Sequence, residues 1–530
     1  MEEEQSTINE SLKTLAQSSL FVFAGIIISK ILIYFYRVII ARSLGPDVYG
    51  MFSIALMVEG WLAAISVLGL TEGMVRNIAL YNGENKKDKA KYIFRFGLVA
   101  ITITSIFSGT LLFFLSEHLA VNIFHNGDLT ILLKIFSFII PLGIISKPFI
   151  AVIQAHGRIL YQSFILNVLQ NVVKLLALIL FLYLGLTDNI VAFSYLAGII
   201  SLLSASYLVC KYKIPYIFEK YILDSKTKQG LSRELVSYSW PVLFSNIVLS
   251  VFFWVDSLLI GYFIGVTEVG FYNAAVPIAA LMSLGSELFM YLFFPLISRE
   301  YSRRNFKVIK HLSQQVGKWI FFINFPLFIL IILFSGFLIQ FIFGAEYLPA
   351  KNALRLLAVG ALVNSLFFTS SRLLSISGKS KLIFFDIIAT SLVNIVLNLI
   401  LLPLYGIDGA AMATMISVIL LNLLFLLQAN HYLSIIPLRR KIFRVMLVSI
   451  IPILFIIISK NYLGKINLPG LIILSTIFLI LYVGLAIITG CLDSNDFMVL
   501  RATREKISDL YYKGVFNGPI KQSTDLNGEI

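Results

Sequence analysis

The sequence predicts an all-α polytopic membrane protein with about fourteen transmembrane helices, and three observations lead to this fold class. Apolar residues make up 58% of the 530 residues, whereas only 13% are charged. A soluble protein is about 45–50% apolar and about 25% charged, because it must cover its surface with polar groups. The apolar residues also fall in long uninterrupted stretches. This composition excludes a soluble enzyme, a disordered chain and a secreted disulfide scaffold.

The apolar stretches have the length that membrane helices need, which is roughly 20 residues. They lie near 16–40, 48–70, 96–116, 131–152, 161–184, 190–210, 238–263, 269–297, 319–342, 353–376, 382–404, 409–433, 445–460 and 468–490. Several contain Pro, which membrane helices tolerate because neighbouring helices satisfy the freed backbone groups. The first stretch follows an acidic start and is too long for a cleaved signal peptide, so we expect the mature protein to retain it.

The positions of the basic residues predict the orientation in the membrane. Most of the 42 Lys and Arg lie in segments on the same side as the N-terminus. Because basic loops stay in the cytoplasm, both termini are expected there, in a multi-pass protein of the plasma or inner membrane. The net charge of +14 therefore reflects topology and attraction to anionic lipid head groups, and we expect no nucleic-acid partner.

The two halves of the chain share a pattern that indicates an internal repeat. Gly45 and Gly50 after the first stretch recur as Gly265 and Gly270 after the seventh, at an offset of 220 residues. Six crossings in each half give both halves the same orientation, which is a transporter architecture with the substrate site between the halves. The predicted organisation is a cytoplasmic segment (1–15), an N-lobe (16–210), a basic cytoplasmic loop (211–237), a C-lobe (238–433), helices 13 and 14 (434–490) and a cytoplasmic tail (491–530).

The sequence lacks the motifs of the common enzyme and metal sites. Gly378-Lys379-Ser380 is not a phosphate-binding loop, because position 373 is Leu where the loop requires Gly. Cys210 and Cys491 form no metal or redox motif. The loops on both sides of the membrane are too short for a catalytic domain. We therefore expect a protein that is not an enzyme and that has no cofactor and no metal.

Ionisable residues inside the apolar stretches are the candidate functional residues. Each costs about 2.5–3.5 kcal/mol at the bilayer centre, so we expect it to face a water-filled cavity or to be paired. Lys30, Tyr34 and Arg37 project from one face of the first helix. Because Arg grips phosphate oxygens in a fork and Lys acts as a point charge, a basic cavity indicates an anionic substrate. The further candidates for binding it are Asn167, Asn171, Lys174 and Asn246; for the amides, hydrogen bonding between helices is the alternative role.

Four acidic residues also lie inside apolar stretches. A carboxylate there can pair with a basic residue, or it can bind Na⁺ or H⁺ and couple transport to a gradient. Both roles stay open at this point. The four residues are Glu59, Asp256, Glu287 and Asp386.

Short motifs along the chain resemble those of polysaccharide-transport proteins. Residues 42–50 (Arg-Ser-Leu-Gly-Pro-Asp-Val-Tyr-Gly) resemble the R-x-LG-P-x-x-YG motif after their first helix, and 68–76 resemble the end of their second. Residues 154–158 match their Q-A-x-G-[KR] turn, and 376–379 with 394–414 are similar to their helix 11–12 hairpin. The sequence is thereby identified as a member of the oligosaccharide flippases of the multidrug/oligosaccharidyl-lipid/polysaccharide exporter superfamily.

This resemblance implies two lobes in a V that work by alternating access. It implies a substrate glycan linked to a polyprenyl phosphate or pyrophosphate, moved from the inner to the outer leaflet. Lys30 and Arg37 hold places comparable to the basic residues of helix 1 that serve the pyrophosphate in the lipid II flippase branch. Asp256 departs from that branch, which has a basic residue in helix 7.

Two other functions stay open beside the flippase. One is a cation-coupled multidrug exporter of the same superfamily, and the other is a membrane glycosyltransferase or glycan polymerase. For the flippase, the expected partners are the lipid-linked glycan, membrane lipids and glycan-assembly enzymes. The expected coupling ion is Na⁺ or H⁺.

Overall fold

The chain is built of α-helices over residues 2–186, 189–437, 440–463 and 467–491, which are the residues that the computed structural model describes. Short π-helical turns (His118–Ile123 and Phe164–Leu169) and 3₁₀ turns (Pro215–Phe218 and Ala345–Ala350) join some of them. In the described residues the helices are α1 (Glu2–Ser66), α2 (Leu70–Gly83), α3 (Lys87–Glu117), α4 (Leu129–Ala155), α5 (Ile159–Ser163), α6 (Gln170–Tyr183), α7 (Ile190–Lys213), α8 (Ser225–Phe263), α9 (Val266–Ala280), α10 (Ser283–Ser302), α11 (Phe306–Ile342), α12 (Lys351–Leu366), α13 (Phe368–Ile376), α14 (Ser380–Tyr405), α15 (Ile407–Leu433), α16 (Arg440–Val448), α17 (Ile450–Leu463) and α18 (Leu468–Ile488).

Each predicted apolar stretch is helical, and the fold is that of a polytopic membrane protein. Among the described residues, 11 helices are long and apolar enough to cross a membrane, or 12 if the pair Ala345–Leu366 and Phe368–Ile376, bent by 43°, is one span. Two features explain why up to 12 spans, and not fourteen, are found in the described residues. The first two stretches share α1, and the eighth is broken between α9 and α10. The number of fourteen crossings stays a prediction.

Two compact units make up the chain, Met1–Pro437 and Leu438–Ile530. Helices α1 to α15 belong to the first unit. In the second unit α18 packs against α16 and α17. Within the first unit we call α1 to α7 the first half and α8 to α15 the second half; their division into an N-lobe and a C-lobe stays a prediction. The predicted segment 1–15 is helical from Glu2 as part of α1, and the predicted tail lies outside the described residues after Cys491.

Helix α1 changes direction at Gly45, which has φ 80° and ψ 176°. A positive φ favours glycine, since a Cβ atom is strained there. Pro46 follows and begins the next helical segment, where its missing N–H leaves no intrahelical hydrogen bond unmade. Gly265, the counterpart of Gly45 in the repeat, has φ 154° and separates α8 from α9.

The two halves cross at a pair of glycines that are equivalent in the repeat, Gly50 of α1 and Gly270 of α9. A Cβ atom on Gly50 would lie 1.9 Å from the carbonyl oxygen of Val266, and one on Gly270 would lie 2.3 Å from that of Pro46. Positions 46 and 266 differ by 220, as do 50 and 270. Each half therefore meets the other with equivalent residues, as two copies related by a twofold axis do. This reciprocity agrees with the repeat predicted from the sequence.

Further hydrogen bonds hold the halves together at the Gly45 end of these helices. Asp47 accepts from Thr267, its own counterpart at an offset of 220. The Arg42 guanidinium donates to carbonyl oxygens at the end of α11, and the Tyr347 hydroxyl donates to the carbonyl oxygen of Ala41 at 3.2 Å. Because these bonds use backbone acceptors as well as side chains, the contact is specific in position.

A second contact between the halves lies at the opposite end of the same α1 segment, between α2 and α8. A Cβ atom on Gly69 would lie 2.4 Å from the carbonyl oxygen of Ser239. Arg76 lies 3.7 Å from the Glu234 carboxylate, which also accepts from the Tyr81 hydroxyl at 3.0 Å. The halves are therefore in contact at both ends of α1's second segment.

The glycine crossing generates a prediction about stability. Gly50→Ala should lower the thermal midpoint of the detergent-solubilised protein, because the added methyl group meets backbone atoms that have little room to move. Overpacking of this kind costs about 1–3 kcal/mol. Gly230→Ala in α8 is the matched control, since its added Cβ would meet no atom within 4 Å apart from the adjoining backbone of its own helix. Alanine favours a helix over glycine, so the control should keep or raise the midpoint. Equal midpoints for the two variants would contradict the tight crossing.

Candidate functional site

A cavity of about 390 Å³ lies in the first half of the chain, between α1, α4, α6 and α7. Trp254 of α8 also lines it, so both halves contribute to its wall. Three basic groups and one acidic group face this space. The side chains in the lining that carry a charge, an amide or a hydroxyl are Tyr36, Arg37, Glu59, Lys147, Gln170, Asn171, Lys174 and Tyr195. Basic groups inside membrane helices are tolerated where they face such a cavity.

Lys174 is held against an aromatic ring in this cavity. Only 8% of the residue is exposed, and its Nζ atom lies 3.7 Å from the centroid of the Tyr195 ring. A cation over an aromatic face is stabilised by about 2 kcal/mol when both are desolvated. Gly198 leaves the room for the lysine stem, because a Cβ atom there would lie 2.2 Å from Lys174 Cγ. The Tyr195 ring is itself stacked on Phe136 at 5.4 Å.

Glu59 is the acidic group of the cavity. Its Oε2 atom accepts a hydrogen bond from the Tyr195 hydroxyl at 2.7 Å. Lys174 and Lys147 are close enough to interact with its charge electrostatically. Within the part of the chain that the structure describes, neither ammonium comes within the 4.0 Å of an ion pair. The carboxylate is thus fixed by a neutral donor and is surrounded by, but not paired with, basic groups.

Arg37 lies where the cavity approaches the contact between the halves. It is half-buried and lines the cavity. Its positive charge also acts electrostatically on the Tyr49 hydroxyl. Tyr49 in turn donates to the carbonyl oxygen of Asn273 in α9, at 3.0 Å. One side chain, Tyr49, therefore lies between Arg37 and the second half.

Lys30 and Tyr34 do not line this cavity, although the sequence places them on the same helix face as Arg37. The Lys30 ammonium donates to both carboxylate oxygens of Glu287 in α10, at 2.8 and 2.7 Å. Tyr34 packs edge-on against Phe343 at 6.3 Å, and among the described residues its buried hydroxyl has no hydrogen-bond partner. The prediction treats the helix as straight and alone, whereas neighbouring helices divide this face into separate environments.

The three predicted amides occupy different places. Asn171 lines the cavity and donates to the Ser29 hydroxyl at 3.0 Å, which joins α6 to α1. Asn167 donates to the Ser163 hydroxyl at 3.0 Å, one turn away on the same helical segment. Asn246 is half-buried on α8 and is not among the cavity residues. Of the three predicted amides, Asn171 is thus the one best placed to contact a bound group.

Lys147, Tyr195 and Trp254 line the cavity without having been predicted from the sequence. The charge of Lys147 within an apolar stretch is a signal that could have identified it. Tyr195 and Trp254 carry no such signal, because aromatic residues are common in membrane helices. Their role follows from what they contact.

Asp256 lies outside the cavity, in the second half, and is enclosed by neutral hydrogen-bond donors. It is 6% exposed and accepts from the Tyr272 hydroxyl at 2.6 Å, from the Asn398 amide at 2.8 Å and from the Thr414 hydroxyl. Asn394 donates to Thr414 at 3.3 Å and completes the cluster. One carboxylate among side-chain oxygen and amide groups from four helices suits a proton or a monovalent cation. In the described residues, no group of three or more His, Cys, Asp or Glu could hold a metal ion.

Asp386 lies three turns from this cluster on α14, about 18 Å along the helix from Asn398. It accepts from the Gln428 amide at 2.9 Å. In the described part of the chain its second carboxylate oxygen and the Gln428 amide oxygen have no hydrogen-bond partner. The four intramembrane acids therefore have four different environments. They are a basic cavity for Glu59, a neutral cage for Asp256, an ion pair for Glu287 and an amide partner for Asp386.

Known proteins resemble the chain over most of its length. A putative O-antigen transporter of Shigella flexneri is 25% identical over 390 residues, which cover 72% of this chain and 89% of the relative. A probable low-salt glycan biosynthesis flippase of Haloferax volcanii, Agl15, is 24% identical and covers 79% of this chain and 84% of its own length. The solved structure of a lipid II flippase, MurJ, in an inward closed conformation superposes with a TM-score of 0.66 at 19% identity. That match covers 89% of this chain and 98% of the other.

Two family profiles match the sequence. The profile described as MatE covers residues 241–400 in the second half. The profile described as polysaccharide biosynthesis protein covers residues 15–301, which is more than half of the chain. The chain therefore belongs to the polysaccharide biosynthesis protein family of polytopic membrane proteins.

Proposed function

We propose that this protein is a flippase that moves a glycan linked to a polyprenyl phosphate or pyrophosphate from the inner to the outer leaflet. The observation that carries the proposal is the cavity in which Arg37, Lys147 and Lys174 face one space within the membrane helices. Basic groups that face a cavity among membrane helices mark a pathway for a substrate or an ion, and three positive charges suit an anion. The names of the relatives, an O-antigen transporter and a glycan biosynthesis flippase, support the same substrate class.

Different side chains of the cavity suit different parts of the substrate. The phosphate oxygens would meet Arg37, which can bind two of them in a fork, and the two lysines, which act as point charges. The Asn171 amide and the Trp254 ring offer polar and aromatic surface to the first sugar. At about 390 Å³ the space lies at the lower end of the 300–1,000 Å³ of small-molecule sites. The rest of the glycan would therefore lie between the halves, and the lipid tail would stay in the bilayer.

Transport requires the two contacts between the halves to open in turn. In this mechanism α1 to α7 and α8 to α15 act as the N-lobe and the C-lobe of the predicted repeat. The contact at Gly50 and Gly270 would close the outer side, and the contact between α2 and α8 the inner side. Both termini would then be cytoplasmic, in the plasma or inner membrane. The basic loop 211–237 would face the enzymes that assemble the glycan.

Two forces drive the anion outward in this mechanism. The membrane potential, negative inside, favours its movement by about 2.3 kcal/mol per charge per 100 mV. A cation bound at Asp256 would add the energy of its own gradient. Oxygen atoms of the Tyr272 and Thr414 hydroxyls and of the Asn398 side chain lie around this carboxylate, and oxygen atoms are the ligands that hard cations take. We therefore place the coupling ion in the second half and the phosphate in the first.

One observation favours a second candidate, a cation-coupled multidrug exporter. The MatE profile covers the segment that holds Asp256, and such an exporter binds cationic substrates at carboxylates. The first-half cavity argues against it, since its basic groups outnumber its single acid.

A deletion strain separates these functions. Loss of a flippase should leave full-length lipid-linked glycan accumulating on the inner leaflet and deplete the glycan outside. Loss of a drug exporter should instead increase sensitivity to cationic compounds with normal surface glycan. A shortened glycan on the lipid would indicate a synthetic enzyme and would contradict the proposal. Mass spectrometry of the extracted lipid-linked glycan measures its length. A membrane-impermeant glycosidase added to intact cells reports the leaflet, because it cleaves only glycan on the outer side.

Arg37 is predicted to be required for export and dispensable for insertion. Arg37→Ala should reduce surface glycan by at least tenfold at normal protein abundance, because the bidentate phosphate contact is lost. Arg37→Lys should restore only part of the activity, since an ammonium keeps the charge without the planar fork. Arg303→Ala is the control, because the Arg303 side chain is exposed in its ion pair with Glu300 and surface pairs contribute little. Full export in Arg37→Ala would rule out a role for Arg37 in binding.

Asp256 is predicted to carry the coupling ion. In proteoliposomes an imposed Na⁺ or H⁺ gradient should speed transport by the wild type, and Asp256→Asn should abolish that acceleration while leaving gradient-free transport detectable. The amide keeps the shape of the side chain but cannot hold a cation by charge. Asp128→Asn, an exposed residue before α4, is the control for loss of one negative charge. Equal acceleration in the wild type and Asp256→Asn would place the coupling site elsewhere.

A further inference from the structure

Glu59 places a negative charge among the groups that would bind the phosphate, which is unexpected for a site that takes up an anion. We propose that Glu59 is a built-in competitor for the substrate phosphates: it occupies the field of Lys147 and Lys174 when the cavity is empty and weakens phosphate binding enough to permit release. This inference rests on the proposed function and adds to it a positioning residue that sets how tightly the head group is held.

The position of Glu59 supports this role. The residue lines the same cavity as the three basic groups, and it lies on α1 next to Gly60, whose added Cβ would be 2.9 Å from the Trp254 indole nitrogen. Its Oε1 atom lies 3.9 Å from the Cβ that Gly143 of α4 lacks. The carboxylate therefore projects between α4 and α7, into the space where phosphate oxygens would approach the lysines.

Tyr195 keeps the acid and the base apart. Its hydroxyl donates to Glu59 at 2.7 Å, while the face of its ring carries the Lys174 ammonium at 3.7 Å from the centroid. Because one side chain holds both groups, the carboxylate cannot close onto the lysine as a contact ion pair without breaking the hydrogen bond. The lysine thus stays available to an incoming anion, and Glu59 stays close enough to oppose it.

The charges of the cavity agree with a doubly charged head group. Arg37, Lys147 and Lys174 carry three positive charges and Glu59 one negative charge, which leaves a formal +2. A pyrophosphate that bridges a lipid and a sugar carries two negative charges, so it would neutralise the cavity. Without Glu59 the cavity would carry +3 and would hold the same head group more tightly. A transported substrate must bind well enough to enter and weakly enough to leave, and the carboxylate meets the second requirement.

Isothermal titration of the purified full-length protein with inorganic pyrophosphate tests the inference. Glu59→Gln keeps the side-chain shape and still accepts from Tyr195, so it removes the charge alone. It should bind pyrophosphate about tenfold more tightly or better, as the loss of a like charge at close range requires. Its maximal transport rate in proteoliposomes should fall below that of the wild type, because release becomes slow. Glu117→Gln, an exposed residue at the end of α3, should change neither quantity.

Tyr195→Phe provides an opposite test of the same geometry. The ring still supports Lys174, but Glu59 loses its hydrogen bond and can move onto the lysine, so pyrophosphate should bind more weakly than in the wild type. In the Glu59→Gln background the same substitution should have little effect, because no carboxylate remains to compete. This double-mutant cycle separates competition from a general disturbance of the cavity.

The outcomes distinguish this inference from the proposed function. If the wild type binds pyrophosphate and Glu59→Gln binds it equally or less tightly, the competitor role is wrong and the anion site stands. If the wild type binds no pyrophosphate and Lys174→Met leaves the transport rate in proteoliposomes unchanged, the anion site itself is wrong, and the inference is wrong with it. Should Glu59→Gln fail to fold by size-exclusion chromatography, Glu59→Ala must give the tighter binding for the inference to survive.

Discussion

A charge in the hydrocarbon region of a membrane must meet water, an opposite charge or a set of hydrogen-bonding groups, and the interior of this protein follows from that constraint. Its intramembrane ionisable groups satisfy it in different ways. Lys30 and Glu287 pair with each other, Asp256 is enclosed by neutral donors, and Lys174 lies on an aromatic ring in a cavity. Each solution needs groups from at least two helices, so the charges also determine which helices must be neighbours.

The glycine crossing of α1 and α9 brings the two halves of the protein into contact. Helices can approach this closely only where no side chain intervenes, and Gly50 and Gly270 provide that space reciprocally. The crossing itself carries no charge, and the charged Arg42 and Asp47 beside it are exposed, so the contact can separate without uncovering a buried ion. The contact between α2 and α8 combines glycine with Arg76 and Glu234, and its polar groups can be hydrated when it opens. Both contacts can therefore open and close repeatedly: the first has few side chains to rearrange, and water can take the place of the polar partners in the second.

The two halves divide the chemistry between them. The first half holds the basic cavity, and the second holds Asp256 among Tyr, Asn and Thr side chains. Ions of opposite sign would thus bind at separate places, so that neither neutralises the other's site. Arg37 and Trp254 lie where these halves approach each other, and Lys30 binds Glu287 across them. An anion bound in the cavity would therefore be sensed at the contact between the halves.

The sequence alone determined the fold class, the approximate positions of the helices and the repeat, because these depend on local apolar length and on glycines at a fixed offset. It also identified Arg37, Lys174 and Glu59 as candidates, since the cost of a buried charge is visible in any apolar stretch. It could not assign partners: Lys30, Tyr34 and Arg37 share a helix face but meet Glu287, Phe343 and the cavity respectively. Tyr195 and Trp254 were found only by their contacts. Which side chains meet depends on helix packing between residues far apart in the chain, and that is decided by the tertiary structure.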